Sequence, residues 1–396
     1  MHLLTRCFTL LAAWAAACTP LPAWSAPRTP AADSEVLERV PARATDPAAR
    51  EIQALRQAWR AQPQDLPTAT QLAWRYQQEV AATGDPRYMG SIQAALAPWW
   101  KQADPPADVR VLRAVVLQFD HQFEPALADL AAVLAQDPQD TRALAWQLAI
   151  RMVLADYAGA RASCEALAPL AGPLIGTACR AQVDAVTGRA GAAAAALRAG
   201  LQREAAADPA ARLWSLTRLA EIEERRGDFA AAEAAFTEAG RLGLTDVYLL
   251  AAHADFLLDR GRPADVLKLL EGRGRADVLL LRLALAAQAT QDPKAAAYAA
   301  ELFARFDAAR LRGDTSHRKE EARAVLALRQ DAARALPLAR DNWAEQREPA
   351  DARVLLEVAL AARDKAAAAP ALKWLADHRV ESVQLRALAD RVGALP

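Results

Sequence analysis

Glycine is scarce in this sequence, at 16 of 396 residues, and aromatic residues make up only 6%. The β-branched residues that favour strands are thin as well, so a sheet-rich fold is not expected. Positive charge is not in excess, since 48 basic residues face 48 acidic ones. A nucleic-acid-binding surface normally needs a basic stripe or patch, and none is present. Beyond the N-terminus no apolar run is long and charge-free enough to span a bilayer. The sequence has no His-Glu-x-x-His pair, no phosphate-cradling glycine loop and no Gly-x-Ser-x-Gly elbow, which removes the common signatures of zinc, nucleotide and serine chemistry. What remains is a globular composition, 53% hydrophobic and 24% charged, in which alanine is the commonest residue. Alanine has the highest intrinsic helix propensity, so the composition predicts helices packed closely through small side chains.

The N-terminal stretch 1–26 reads as a secretory signal. Arg6 supplies the basic start, Cys7 to Ala17 is an apolar run, and Ala23-Trp24-Ser25 places small residues where a signal peptidase reads them. The run is about 11 residues against roughly 20 for a spanning helix, so it is a signal and not an anchor. An alternative stays open: Ala15-Ala16-Ala17-Cys18 loosely resembles a lipoprotein processing site, with lipid on Cys18. Either way the chain is expected in the periplasm or outside the cell. Residues 27–47, rich in Pro, Ala and charge, read as a flexible leader, and 48–396 as the folded domain.

Loss of the signal removes Cys7 and Cys18 and leaves Cys164 and Cys179, an even pair for an oxidising compartment. A turn, Pro169-Leu170-Ala171-Gly172-Pro173, lies midway between them. Antiparallel helices leaving that turn hold the two cysteines at nearly one height, which predicts a disulfide across the hairpin. Two reduced, buried cysteines acting as small hydrophobes are the other reading.

From about residue 48 apolar residues recur at helical spacing in segments separated by Gly, Asp or Pro. The clearest unit is Leu216-x2-Leu219-Ala220-x6-Gly227-Asp228-Phe229-x2-Ala232-x3-Phe236-x2-Ala239, and the next helix stop follows at Gly261. This pattern resembles the tetratricopeptide repeat, whose period of about 34 residues matches the step from Gly227 to Gly261. It is strongest over 213–275. Looser copies stand at Phe119 to Pro138, Ala155 to Cys164, Gly188 to Leu197, Asp331-x3-Ala335 and Asp364-x3-Ala368. The resemblance, to repeat-rich proteins exported by Gram-negative bacteria, implies an all-α, right-handed solenoid of antiparallel helix pairs.

It also implies that the first helix of each pair lines a concave groove in which a protein or peptide partner lies. The outward stripe of those helices carries Trp214, Thr217, Glu221, Glu224 and Arg225, then Tyr248, Ala251, Asp255 and Asp259, then Arg282, then His317 and Glu320, then Arg353 and Glu357. Its middle is acidic with aromatics, which suits a basic or amine-bearing peptide. The same charges are also what an ordinary solvated face with salt bridges carries. The expected role is a non-enzymatic scaffold or adaptor with no cofactor. A rival rests on the polar cluster 312–323, where His317 stands three and four residues before Glu320 and Glu321. That spacing builds half a metal site, but it is equally the spacing of helix-surface ion pairs, with Thr315 or Ser316 as the helix cap. Trp99 and Trp100 point to different helix sides, so one is open to stack on a ligand or to pack beneath the following proline turn. Trp343 and Trp374 are expected in the core.

Overall fold

The structure, a computed structural model, describes residues 47–396. The signal, the Cys18 alternative and the leader lie outside the described residues, apart from Pro47. The chain divides after Arg50, and residues 51–396 form one compact unit. Among the described residues there are 21 helices and no strand. The N-terminal set is α1 (Pro47–Ala61), α2 (Leu66–Thr83), α3 (Arg87–Ala95) and α4 (Ala97–Trp100). Hairpins follow as α5 (Ala107–Phe119) with α6 (Phe123–Gln136), α7 (Thr141–Val153) with α8 (Tyr157–Ala171), and α9 (Pro173–Ala185) with α10 (Ala190–Arg203). Then come α11 (Pro209–Arg226) with α12 (Phe229–Arg241), α13 (Val247–Asp259) with α14 (Pro263–Leu269), and α15 (Asp277–Ala289) with α16 (Ala295–Leu311). The last are α17 (Arg318–Arg329) with α18 (Ala332–Glu345), α19 (Pro349–Ala362) with α20 (Lys365–His378), and a single α21 (Val383–Gly393). Second helices α12 and α14 begin at Phe229 and Pro263, one repeat apart, as the step from Gly227 to Gly261 predicts.

One local device builds these eight hairpins. The turn between first and second helix holds a single residue in the left-handed region: His121, Ala155, Gly188, Gly227, Gly261, Gln291, Gln330 or Arg363. The next residue's N–H then reaches back to a carbonyl of the first helix, as from Asp228 to Glu223 at 2.9 Å and from Asp364 to Ala359 at 2.9 Å. This satisfies carbonyls that the helix end would otherwise orphan. In four of the turns that next residue is an aspartate that caps the second helix with its own carboxylate: Asp156, Asp228, Asp331 and Asp364. Chain reversal and helix start are thus set by two adjacent residues.

First helices stack on one another from α9 through α21, and small residues let them approach. Ala220, Ala232, Phe236 and Ala239 are fully buried, with Phe236 between the helices as the repeat pattern predicts. The Cys164–Cys179 disulfide joins α8 to α9 across the expected turn, with Cα atoms 5.8 Å apart and both residues buried.

The C-terminal repeats do not continue away from the rest. Trp343, Trp374, Val380 and Leu385 share a single core with Leu148, Tyr157, Cys164 and Val183 of α7–α9. The Trp374 indole donates to the Tyr157 hydroxyl at 3.1 Å, and the Arg347 N–H to the Val153 carbonyl at 2.8 Å. Glu381 accepts from the Ala190 N–H at 2.6 Å. The turn after α2 likewise meets α13 and α15: a Cβ at Gly84 would stand 2.6 Å from the Ala276 Cβ, so this approach requires glycine, as does its φ of 68°. The stack is folded back so that first helices far apart in sequence face each other.

Candidate binding site

Because of that fold-back, the polar stripes of the first helices meet. On α11, Leu213, Leu216, Leu219 and Ile222 are buried, while Arg218, Glu221, Glu224 and Arg225 turn the other way. The Arg218 guanidinium lies 4.3 Å from the centre of the Tyr248 ring and 3.0 Å from Glu221, to which the Tyr248 hydroxyl donates at 2.5 Å. Cation–π contact and ion pair together fix Tyr248 against α11. Burial, together with Glu221, outweighs Arg218 and holds the Tyr248 hydroxyl above its ordinary range, yet 47% of the residue is open. The two facts fit a recess deep in the protein that still admits water.

On α13, Asp255 and Asp259 stand one turn apart and take cations from three later first helices. Asp255 accepts from Arg282 of α15 and, at 2.6 Å, from Arg323 of α17. Asp259 is clamped by both terminal nitrogens of Arg353 of α19, each at 2.7 Å, and by the Gln384 amide of α21 at 3.1 Å. Arg353 also donates to Glu357 at 2.7 Å. Bidentate arginine–carboxylate pairs of this kind fix orientation as well as charge. Burial pushes the Asp255 carboxyl up, but Arg282 and Arg323 outweigh it and hold it far below the usual carboxylate range. Nearby, Lys319 lies 3.4 Å from Asp351, which also accepts from Asn342 at 3.0 Å and from the Glu348 N–H at 2.8 Å.

Two neighbours on the same stripe are treated differently. Among the described residues neither the Glu224 carboxylate nor the Arg225 guanidinium has a hydrogen-bond or ion-pair partner, and the Arg225 Nε is buried. Burial, reinforced by Asp259, Glu221 and Asp255 and only partly opposed by Arg225, pushes the Glu224 carboxyl up to about 8. Buried without a paired cation among the described residues, Glu224 holds its proton at neutral pH.

The structure thus brings Glu221, Tyr248, Asp255, Arg282, Arg353 and Glu357 into a single inner network, together with Glu224, Arg225 and Asp259. It does not place Trp214 or Thr217 as open positions. Trp214 is half-buried between two cores, and the Thr217 hydroxyl donates to the Leu213 carbonyl at 2.8 Å. The His317 cluster of the rival reading is not assembled. His317 stands at the N-cap itself, with Nε2 3.7 Å from Asp314 and its ring against Phe306. Glu320 is buried, and Glu321 is taken by Arg310 and Arg334. Neither Thr315 nor Ser316 caps α17, because Asp314 captures the Ser316 N–H and hydroxyl first, at 2.9 and 2.6 Å. Among the described residues no group of three His, Cys, Asp or Glu is arranged to hold a metal ion. Trp99 and Trp100 are both half-buried against the N-terminal core.

Sequence reasoning missed Arg218, Lys319, Arg323, Glu348 and Gln384. Arg218 was findable, since it precedes Glu221 by three residues on one helix. Arg323 lies two repeats beyond Asp255 and had no local signal.

A scan against models of known families finds no match to this sequence, and a search of curated proteins finds none either. Solved structures do show similarity. The first is a tetratricopeptide repeat protein from Parabacteroides merdae, 15% identical, covering 60% of this chain and 92% of that chain, with a TM-score of 0.42. In fold, the described residues are an all-α array of antiparallel helix hairpins. The Cut9–Hcn1 hetero-tetramer of the APC/C is 12% identical, with 83% of this chain and 63% of that one covered and a TM-score of 0.47, so this chain spans less than two thirds of that structure's length. The human IFIT1 dimer with m7Gppp-AAAA is 12% identical over 84% and 86%, with a TM-score of 0.42.

Proposed function

We propose that this chain is an exported, non-enzymatic adaptor that receives a basic segment of a protein partner on its inner face. One observation carries the reading: among the described residues Glu224 lies near three other carboxylates with no cation hydrogen-bonded or ion-paired to it, one turn along α11 from Glu221, which holds the half-open ring of Tyr248. A lysine or arginine side chain of a partner supplies the missing charge, lays its apolar stem on Tyr248, and leaves Arg225 free to take a partner carbonyl. The self-paired acids Asp255 and Asp259 hold the walls of the recess and are not themselves the recognition groups. Export is part of the proposal. It is supported by the apolar run at Cys7 to Ala17 and by the single pair of cysteines in 51–396, which lie within disulfide distance.

The test is a photo-cross-linkable residue placed at Tyr248 in cells, compared with one at the exposed tip residue Leu311. A discrete adduct from position 248 whose cross-linked segment is basic, and whose yield collapses in Glu224→Lys, is the expected result. Equal labelling from both positions would overturn the inner-face reading. Fractionation of the same cells tests export, and the mass of the mature N-terminus decides between cleavage near Ser25 and lipidation at Cys18.

A further inference from the structure

A second surface lies on the outside of the C-terminal repeats. Helices α18 and α20 are both second helices, and between them run two adjoining hollows of about 300 and 380 Å3. Trp343, Ala344 and Pro370 line both, so they form a continuous groove. Its course follows α20 from Asp364 to His378, roughly 20 Å at about 1.5 Å per residue. Small residues keep it open, with Ala344 on one wall and Ala366 on the other. The floor is rigid: the Trp343 and Trp374 rings meet edge to face with centroids 5.7 Å apart, and Trp374 is pinned by Tyr157.

Three side-chain donors on this groove lack acceptors. Arg340 and Arg347 are exposed on the α18 side, and among the described residues neither guanidinium has an ion-pair or hydrogen-bond partner. The indole N–H of Trp343, whose side chain is at the floor of both hollows, has no hydrogen-bond partner either. The acids along the groove are already engaged: Asp364 caps α20 through the Ala367 N–H at 2.9 Å, and Asp377 pairs with Lys373 at 2.7 Å. Pro370 has no N–H to give, so the Ala366 carbonyl one turn earlier lacks its helix donor.

We infer that this groove docks an acidic segment of a protein partner, with two apolar side chains seated in the hollows and carboxylates answering Arg340 and Arg347. The hollows are centred about seven residues apart on α20, ~10 Å. That spacing fits side chains two turns apart on a helix or three residues apart on an extended chain. An acidic partner here is opposite in sign to the basic one at the inner recess, so the two surfaces serve different segments and the proposals stand or fall separately.

The test is peptide selection from a random display library on the purified full chain, followed by affinity measurement of the enriched peptides. The expected peptides carry at least two Asp or Glu flanking apolar residues. They bind at least tenfold more weakly to Arg340→Glu/Arg347→Glu, lose binding to Ala344→Trp, which fills the groove, and bind Glu224→Gln unchanged. Ala344 is exposed, and a far-ultraviolet dichroism spectrum and melting curve like those of the wild type establish that the variant folds. Three results would each overturn the proposal: no peptide enriched over a blank surface, enriched peptides that are neutral or basic, or acidic peptides whose affinity survives both sets of changes.

Discussion

Asp255 and Glu224 face the same interior from adjacent first helices, and their protons behave in opposite ways. Asp255 is held ionised because Arg282 and Arg323 arrive from later repeats, whereas burial, with Asp259, Glu221 and Asp255 nearby, pushes Glu224 up to about 8 against Arg225 alone. Burial acts on both in the same direction, so the whole difference lies in the partners. The comparison separates two uses of charge in one stripe. Where a carboxylate is answered by a distant arginine, the pair ties repeats together and belongs to the fold. Where it is not, the site is left to be completed from outside.

The largest effect is expected at the answered acid. Asp255→Ala leaves the guanidinium groups of Arg282 and Arg323 close together and unneutralised in a part-buried place. Removing one partner of a buried pair typically costs about 3–5 kcal/mol, and about 3 kcal/mol is expected here because 23% of the side chain stays open. Urea denaturation of the wild type and the variant at pH 7 measures it. The variant also loses part of the acid dependence of stability. A depressed carboxyl contributes stability that is present above its unfolded value of 3.8 and disappears as pH falls through the lower folded value. A cost below about 1 kcal/mol would mean that the fold-back does not rely on this pair, and the contrast with Glu224 would lose its basis.

The second effect is smaller and opposite in sign. Glu224 has its folded value raised from 4.5 to about 8, so its favourable contribution is complete below pH 4.5 and is lost as pH rises through about 8. In Glu224→Gln that loss is absent. The variant is expected to match the wild type near pH 4.5 and to exceed it by on the order of 2 kcal/mol at pH 8.5, after discounting for the water that reaches the recess. Binding of a basic peptide by the wild type should correspondingly tighten as pH rises through 8, because the cation displaces the Glu224 proton. Parallel stability curves for the two proteins across this range would show that Glu224 has a cation after all.

The hairpins were legible because their punctuation is local. Gly227-Asp228 and the matching step to Gly261 give both turn and cap, and the turn between Cys164 and Cys179 places the two sulfurs within bonding reach. Five other turns use the same left-handed conformation with residues that carry a Cβ, namely His121, Ala155, Gln291, Gln330 and Arg363. No glycine marks them, and at the α15–α16 turn only Asp292-Pro293 punctuates the sequence. The fold-back was not legible at all. It rests on contacts such as Tyr157 with Trp374, which stand 217 residues apart, and no short window of sequence encodes them. The structure brings most charges of that stripe together, while Trp214, Thr217, His317 and Glu320 stand outside the network. Which of its charges are answered depends on the fold-back, and so had to come from the structure.

The smallest effect sharpens the comparison from the cationic side. Among the described residues Arg225 has no hydrogen-bond or ion-pair partner and a buried, unbonded Nε, whereas Arg353, on the same inner face, is engaged with Asp259 and Glu357. An unpaired guanidinium gives the folded state only the packing of its aliphatic stem. Arg225→Met keeps that packing and removes a donor that the fold leaves unsatisfied. Its stability is therefore expected within about 0.5 kcal/mol of the wild type, while cross-linking of a partner at Tyr248 falls. Arg353→Met, measured in the same denaturation series, should cost several times more, since it strands Asp259. If Arg225→Met is as costly as Arg353→Met, Arg225 belongs to the structural network, and the unanswered part of the stripe shrinks to Glu224 alone.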